Sequence, residues 1–311
     1  MTGGAGFIGA NLVRRLVDSN YQVVVLDDFS TGNLGNLSGI DCEMHTGSLL
    51  DTNVLRKVLN NVEYVFHLAA LGSVPRSLKD PTSTFAVNVQ GTLNLLEAVR
   101  DVGVGLTFTS SSSVYGANSI LPKTETSWVS PLSPYASSKL AGEALIQGYA
   151  QSFGLKATIF RLFNVYGPLQ RPNHEYSAVI PRWIWQAISN NYIEVYGDGT
   201  QSRDFTFVYD VIDILFNGVT KQIDLMHPIN LAFGENISLN QVIELLRTYF
   251  PSIKVSYLPS RKSDVYNSLN NPKLLRQVFP EVTPTPFTDG FAATLEWIGS
   301  QGNLSQHESK S

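Results

Sequence analysis

The 311-residue sequence predicts an α/β fold, in which a doubly wound parallel sheet is followed by a smaller C-terminal lobe. Short apolar segments typical of buried strands alternate with helical segments over the first half of the chain, and this alternation favours right-handed βαβ units. From about Tyr166 the elements become shorter and are separated by turns such as Gly167-Pro168, which indicates the second lobe.

A glycine-rich loop opens the chain. Gly3, Gly6 and Gly9 follow the spacing G-x-x-G-x-x-G, and apolar residues recur at helical spacing from Phe7 onward. Glycines at this spacing permit a tight turn, close approach of the backbone to a pyrophosphate, and close packing of a helix on the sheet. The loop therefore predicts a dinucleotide at a helix N-terminus, with a plain glycine turn as the structural alternative.

The acidic pair Asp27-Asp28 supports this interpretation. It follows the apolar segment 23–26, and Asp27 lies 18 residues after Gly9, near the position from which a carboxylate reaches the adenosine ribose. A carboxylate there would repel the 2′-phosphate of NADP, so the sequence favours NAD. Two acids that only cap a strand are the alternative.

The strand that normally precedes such a loop is represented by Met1 and Thr2 alone. Loss of a central strand would cost more than the ~5–15 kcal/mol of net stability that a domain has. We therefore expect that the natural protein starts several residues upstream of Met1, and that the first strand is missing from this sequence for that reason. The upstream sequence should then supply an apolar strand of about five residues.

The remaining elements are predicted from periodicity and turns. Strands are expected at 64–66, 106–108 and 157–160, helices near 51–60, 81–101 and 135–153, and a return to the sheet at 208–219 and 228–231. The dinucleotide-binding domain is assigned to 1–165 with 205–232, the substrate lobe to 166–204 with 233–298, and a disordered polar tail to 299–311.

Composition argues against several classes of partner. The net charge of −4 disfavours nucleic acid or an anionic membrane, and no apolar run reaches the ~18 residues of a membrane span. The single cysteine, Cys42, excludes an internal disulfide, so the cytoplasm is the expected location. The five histidines are scattered, and no metal site is predicted.

Two segments carry candidate chemistry. Tyr135 and Lys139 stand one helical turn apart, and a nearby ammonium would lower the tyrosine pKa from its usual value of about 10. The serine cluster 110–113 follows a strand, at the sheet edge where ligands bind in open α/β sheets. The alternative for Tyr135 and Lys139 is an exposed pair of side chains on a helix. The alternative for the serine cluster is a serine-rich turn.

Taken in order, these segments resemble the extended short-chain dehydrogenase/reductase family, and within it the nucleotide-sugar 4-epimerases. The resemblance extends from Thr2 to about Trp297. It rests on T-G-G-A-G-F-I-G at 2–9, L-D-D-F-S-T-G at 26–32, F-H-L-A-A at 66–70, S-S-S-S-V-Y-G at 110–116, Y-A-S-S-K at 135–139, R-L-F-N-V-Y-G-P at 161–168 and G-D-G-T-Q-S-R-D-F at 197–205. It implies a Rossmann-type fold, NAD as cofactor and a UDP-sugar as substrate.

The resemblance also implies residue roles. The catalytic residues are Ser111, Tyr135 and Lys139. Besides Tyr135 and Lys139, the cofactor-binding residues are Gly3, Gly6, Phe7, Ile8, Gly9, Asp27, Asp28, Ser30, Thr31, Gly32, Ser48, Leu49, Leu68, Ala69, Ala70 and Asn88. The substrate-binding residues are Ser73, Ser111, Ser112, Asn164, Val179, Tyr196, Arg203, Arg261, Asp264 and Ser268. Serine at 48 departs from the aspartate that the family places against adenine, which predicts a weaker contact.

The neighbours of Ser111 narrow the expected reaction. Related dehydratases carry acids between the catalytic hydroxyl and V-Y-G, whereas this chain has Ser112 and Ser113, so dehydration is not expected. Segments 71–77 and 176–181 resemble epimerases of N-acetylated UDP-hexosamines, and Ser268 is small enough to admit the N-acetyl group. We therefore expect 4-epimerisation of UDP-GlcNAc and UDP-GalNAc.

Other activities stay open. They are a UDP-glucose/UDP-galactose epimerase, a UDP-uronate epimerase, a decarboxylase or reductase, and an inactive truncated fragment. A uronate would need an extra cation near C6, and the sequence identifies none. The family's dimer surface corresponds to helices near 81–101 and 135–153, which predicts a homodimer through a four-helix bundle. Leu93, Leu96 and Leu140 are candidates for it, and burial within one monomer explains them equally well.

Overall fold

The computed structural model describes residues 1–174, 176–221, 223, 225–260 and 266–308. The helices described are α1 (Phe7–Asp18), α2 (Thr52–Val58), α3 (Val74–Lys79), α4 (Pro81–Phe85), α5 (Gly91–Val102), α6 (Pro134–Phe153), α7 (Val179–Asn190), α8 (Val208–Thr220), α9 (Leu239–Tyr249), α10 (Lys273–Val278) and α11 (Phe287–Glu308). The strands described are β1 (Val24–Asp27), β2 (Glu43–Thr46), β3 (Tyr64–His67), β4 (Gly105–Ser111), β5 (Ala157–Leu162), β6 (Val165–Tyr166), β7 (Tyr192–Tyr196), β8 (Ser202–Arg203), β9 (Thr206–Phe207), β10 (Leu225–Leu231), β11 (Ile237–Ser238), β12 (Lys254–Leu258) and β13 (Asn267–Ser268).

The central sheet is parallel. Strands β10, β5, β4 and β3 pair in that order, and β1 pairs with β2. The chain start joins the two groups, because Thr2 bridges both Leu26 of β1 and His67 of β3. The resulting order, with α1 and α8 packed together beside the sheet, is the predicted doubly wound Rossmann-type arrangement.

Residues 1–3 occupy the place expected for the first strand. No regular strand precedes α1 among residues 1–6, but Leu26 donates to the Met1 carbonyl at 2.8 Å and Thr2 donates to the Phe66 carbonyl at 2.9 Å. The amino group of Met1 donates to the Val24 carbonyl at 2.5 Å, and burial lowers its pKa to about 5. The sheet is therefore continuous at its carboxyl edge, where the glycine loop begins.

Most predicted strands and helices are confirmed, with three corrections. The segment 208–219 is helix α8 and not a strand, because its apolar residues recur at helical spacing and bury one face against α1. A π-helical turn, Ala86–Gln90, interrupts the helix expected at 81–101. Residues 299–308 continue α11 after the buried Ile298, so disorder was the wrong prediction there, and 309–311 lie outside the described residues.

Buried hydrophobic side chains of the described residues form three clusters, and the largest extends through both predicted lobes. It includes Val25 and Phe160 of the central sheet together with Trp183 of α7 and Ile243 of α9. The smaller elements of the second lobe include the parallel pair β7–β12 and the short sheet β11–β8–β13. Among the described residues, no helix combines the length and the apolar character needed to cross a membrane.

Candidate active site

The catalytic candidates meet at the carboxyl end of β4. Ser111 ends that strand, and Tyr135 lies in the first turn of α6, whose start is fixed by Pro134 and by Ser133, which caps the helix by accepting from the Ala136 amide at 3.1 Å. The Ser111 hydroxyl is near enough to Tyr135 to affect its ionisation. Burial raises the pKa of Tyr135, and the Ser111 hydroxyl opposes this rise.

Lys139 lies one turn further along α6 and is buried. Its ammonium donates to the Thr109 carbonyl at 2.8 Å and lies 4.9 Å from the centre of the Phe108 ring. Burial lowers the pKa of Lys139 to about 8, against the effect of the Glu143 carboxylate. Burial and the Ser111 hydroxyl shift the pKa of Tyr135, and the lowering expected from Lys139 stays a prediction. Two of its three donors stay available for a ligand.

Behind these residues lies a buried ion pair that sequence reasoning missed. Glu143 accepts hydrogen bonds from Arg161 Nε at 2.9 Å and Nη2 at 2.7 Å, and a further one from the Ser110 hydroxyl. Arg161 also donates to the Tyr115 hydroxyl at 2.9 Å. The pair joins α6 to β4 and β5 directly behind the catalytic candidates. Its signal in the sequence was an acid four residues after Lys139, facing a basic residue on the next strand.

A cavity of about 70 Å³ lies between the glycine loop and the ends of β1 and β3. Ten predicted cofactor residues line it, namely Gly3, Gly6, Asp27, Asp28, Ser30, Thr31, Leu49, Leu68, Ala69 and Ala70. Leu26, Gly47 and Val87 complete the lining and were not predicted. The cavity therefore brings together segments that are far apart in the sequence.

The glycine loop fits a dinucleotide. Gly3 has φ +73°, and a Cβ there would lie 2.6 Å from the Ala69 amide, so only glycine keeps the loop against the end of β3. A Cβ at Gly9 would lie 2.1 Å from the Gly3 carbonyl, so the loop and α1 pack backbone to backbone. Asp27 accepts from the amides of Ala5 and Phe29, each at 2.9 Å, while burial raises its pKa. A backbone cradle beside a carboxylate is what the diphosphate and ribose of NAD require.

The other predicted cofactor residues do not line this cavity. Phe7, Ile8 and Gly9 form the first turn of α1, and a Cβ on Gly32 would lie 2.8 Å from the Asp27 carboxylate. The Ser48 hydroxyl accepts from the Leu50 amide at 3.2 Å. Asn88, in the π-helical turn, accepts from the Leu71 amide at 2.8 Å and donates to the Ser138 hydroxyl at 2.9 Å. Asn88 thus connects a site loop to α6.

A larger cavity, about 250 Å³, lies in the second lobe. The predicted substrate residues Asn164, Val179, Tyr196 and Arg203 line it. Arg203 donates to the carbonyls of Ser202 and Tyr266, each at 2.9 Å. Sequence reasoning missed further lining residues that include Arg182, Trp183, Glu194, Gln201 and Phe205. Arginine and asparagine at one cavity suit a phosphorylated ligand.

The remaining substrate candidates have different positions. Ser73 caps α3 by accepting from the Arg76 amide at 3.2 Å, and Ser112 begins the 3₁₀ turn Ser112–Tyr115. Ser268 of β13 stands opposite Arg203 in the strand register. Arg261 and Asp264 lie outside the described residues.

Asp204 connects three segments beside the larger cavity. It is buried between the cavity residues Arg203 and Phe205, and its carboxylate accepts from the amides of Gly234 at 3.1 Å, Glu235 at 3.2 Å and Asn270 at 2.9 Å. Burial raises its pKa to about 7, against these three hydrogen bonds. Its role in holding the lobe together was not predicted, although it stands within the G-D-G-T-Q-S-R-D-F motif.

The family model described as the NAD dependent epimerase/dehydratase family matches residues 1–232. The chain belongs to this family. The UDP-glucose 4-epimerase of Mycolicibacterium smegmatis is 38% identical over 220 residues, which cover 68% of this chain and 70% of that protein. The UDP-glucuronic acid decarboxylase 1 of Danio rerio is 29% identical over 311 residues, covering 97% and 72%.

A solved structure agrees with these relatives. The UDP-N-acetylglucosamine 4-epimerase from Methanobrevibacter ruminantium M1, in complex with UDP-N-acetylmuramic acid, superposes with a TM-score of 0.91. It is 34% identical, and the match covers 96% of this chain and 97% of that one. The protein is thus an NAD-dependent enzyme with the activity of a UDP-sugar 4-epimerase or of a related dehydratase or decarboxylase.

Proposed function

We propose that this enzyme interconverts UDP-GlcNAc and UDP-GalNAc by reversible 4-epimerisation. One observation carries the proposal: Ser111 at the end of β4 interacts with Tyr135 of α6, and serines follow Ser111 at 112 and 113. The pair supplies a base and a hydrogen bond for oxidation at a sugar carbon. Serines in place of acids supply no strong proton donor for the elimination of water.

The residues have distinct tasks in this reaction. Tyr135, as the phenolate, takes the proton of the sugar 4-hydroxyl, and Ser111 donates a hydrogen bond to the 4-oxygen. NAD, when bound, supplies the acceptor and then the donor of the hydride at C4. Lys139 holds the nicotinamide ribose with the donors that Thr109 leaves available. The 4-keto sugar then turns its other face to the cofactor, so that no net oxidation occurs.

The proposed placement of the UDP moiety uses the larger cavity. Arg203 and Asn164 hold the diphosphate, and Tyr196 and Val179 contact the nucleoside. The Arg182 guanidinium lies 5.7 Å from the centre of the Tyr196 ring, which gives that wall a positive charge. Ser268, opposite Arg203, leaves space for the N-acetyl group.

A UDP-uronate is the second candidate substrate, and one observation favours it. The half-buried Arg76 guanidinium lies 5.5 Å from the centre of the Tyr176 ring, and Tyr176 precedes Ser177 of the cavity wall. Arg76 is therefore a cation at the rim of the site, the group that the sequence alone did not identify for a carboxylate. The decarboxylase relative agrees with this possibility.

A substrate panel tests the proposal. The NAD-loaded enzyme is incubated separately with UDP-GlcNAc, UDP-GalNAc, UDP-glucose, UDP-galactose and UDP-glucuronate, and the products are assigned by NMR. We expect fastest conversion between the two N-acetylated sugars, and slower conversion of glucose and galactose. Turnover of UDP-glucuronate alone, or release of CO₂ from it, would transfer the assignment to the second candidate. Binding of NAD with no turnover of any sugar would contradict both.

A homodimer through α5 and α6 belongs to the same proposal. Leu93 and Leu140 are half-buried, whereas Leu96 is fully buried within the monomer and is not available to a partner. The exposed Ala144 marks the middle of the α6 surface. Ala144→Arg is expected to convert a dimer to a monomer in light scattering, and a wild-type monomer would refute the dimer. The cytoplasmic location stays a prediction from the sequence.

A further inference from the structure

Ser113 makes an unusual pair of contacts with the catalytic hydroxyl. Its amide donates to Ser111 Oγ at 3.2 Å, and its hydroxyl donates to the same oxygen at 2.9 Å. A serine hydroxyl has one proton and two acceptor positions. Both acceptor positions of Ser111 are therefore filled by Ser113, and only its proton stays available for another partner.

That proton is the group that Ser111 can offer to Tyr135. Because both acceptor positions of Ser111 are filled, it can interact with the Tyr135 hydroxyl only as a donor, and a donor at the phenolic oxygen lowers the tyrosine pKa. The three side chains thus form a one-way chain of donors, from Ser113 to Ser111 to Tyr135. Chains of this kind polarise each successive bond, because each donor is also an acceptor.

The local backbone holds Ser113 in this position. Ser113 lies in the 3₁₀ turn Ser112–Tyr115, whose following residues Val114 and Tyr115 are buried. Its carbonyl accepts from the Gly116 amide at 3.1 Å, which closes the turn. The Ser113 amide therefore keeps its direction toward Ser111, and the hydroxyl contributes the part of the contact that a substitution can remove.

We propose that Ser113 is a positioning residue that makes Ser111 a fixed donor, so that the substrate proton passes directly to Tyr135. The inference rests on the proposed 4-oxidation. In this step the O4–H bond breaks and the Tyr135 O–H bond forms, and bound NAD would accept the hydride from C4. Ser111 keeps its own proton throughout, and its hydrogen bond moves from the phenolate to the sugar oxygen as the charge is neutralised.

Two variants distinguish the effect of the Ser113 hydroxyl from an effect on folding. Ser113→Ala removes the hydroxyl and frees one acceptor position on Ser111, whereas Ser113→Thr keeps the hydroxyl. Ser119→Ala, at an exposed position in the following loop, is the matched control. For Ser113→Ala we expect kcat to fall roughly ten-fold with KM changed by less than about two-fold, which corresponds to the loss of one hydrogen bond. Ser113→Thr is expected to restore most of kcat.

Ionisation of Tyr135 is the readout that does not depend on the substrate. Ultraviolet difference titration of the NAD-loaded protein, with Tyr135→Phe as the blank, reports the phenolate directly. We expect the midpoint to move to higher pH in Ser113→Ala, and to return in Ser113→Thr. An unchanged midpoint in Ser113→Ala would overturn the proposal, even if every UDP-sugar tested proved to be a substrate.

A proton inventory in mixtures of H₂O and D₂O tests the direct transfer. Wild-type kcat should depend linearly on the deuterium fraction, because one proton is in flight. A bowed dependence, which indicates two protons moving together through Ser111, would refute the donor-only role. If the substrate panel fails, the titration still decides what Ser113 does to Tyr135, so the two proposals can fail separately.

Discussion

Replacing Glu143 with glutamine tests the buried ion pair behind the catalytic helix. The side chains of Arg161 and Glu143 are only 6% and 3% exposed, and two hydrogen bonds join them. The substitution removes the negative charge at position 143. It also places an amide N–H donor opposite the Arg161 guanidinium, which is itself a donor. Arg161 then stays buried without its counter-charge, which costs far more than an exposed pair does.

The contacts of this ion pair give the expected loss of stability. Two hydrogen bonds between charged groups contribute about 1.5–3 kcal/mol each. Loss of one partner of a buried pair is known to cost about 3–5 kcal/mol. We therefore expect the free energy of unfolding to fall by about 4 kcal/mol in Glu143→Gln. Since the Glu143 carboxylate also raises the pKa of Lys139, the ammonium should titrate at lower pH in the variant.

The assay is urea unfolding followed by circular dichroism, with an exposed pair as the control. Arg247 and Glu244 lie 2.8 Å apart, and their side chains are 45% and 70% exposed. Glu244→Gln is expected to change the free energy of unfolding by less than about 1 kcal/mol. If Glu143→Gln lowers stability no more than this control does, the argument from burial is wrong. A Glu143→Met, Arg161→Met double variant should recover much of the loss, because it leaves no unpaired charge.

Three further predictions follow from the site and the sheet. Tyr135→Phe should lower kcat by more than about 100-fold, and a loss within a factor of ten, or about 1.4 kcal/mol of barrier, would contradict its role as the base. Burial, with Lys139 and the Met1 amino group contributing, lowers the pKa of His67 to about 3. The unfolded chain then binds a proton below about pH 6.5 that the folded chain does not, so stability falls as the pH drops. Between pH 8 and 5 this loss should reach about 2 kcal/mol in urea unfolding, and a His67→Asn variant should show a flatter dependence. Gly9→Ala should abolish NAD binding in calorimetry or prevent folding, because the added Cβ would lie 2.1 Å from the Gly3 carbonyl. Gly299→Ala, where nothing lies within 4 Å of the added Cβ, should be neutral or slightly stabilising.

Features that depend on short segments could be predicted from the sequence. The glycine loop and the acidic pair at Asp27 each act through neighbouring backbone, so spacing alone was enough to locate them at one cavity. The pair Tyr135 and Lys139 was found in the same way, since the four-residue step between them is one turn of α6, whereas the choice of Ser111 within its serine cluster came from the family resemblance. The alternation of strands and helices gave the parallel sheet for a similar reason.

Features that depend on contacts between distant segments could not be predicted. Arg161 and Glu143 are 18 residues apart and meet only because β5 and α6 pack together. Lys139 lies only four residues after Tyr135, yet its ammonium is directed to Thr109, 30 residues away. The prediction for 208–219 was wrong, because its apolar residues follow the 3.6-residue period of a helix.

The continuous core that includes Val25, Phe160, Trp183 and Ile243 has a consequence for how the protein unfolds and moves. Two bodies with separate cores can unfold, hinge or be cut apart one at a time, whereas apolar side chains shared between them must lose their contacts together. Scanning calorimetry should therefore show a single transition, and a protease should release no folded half. Any movement that lets a sugar turn inside the site is then confined to side chains and loops, because neither lobe can swing away without opening the interior to water.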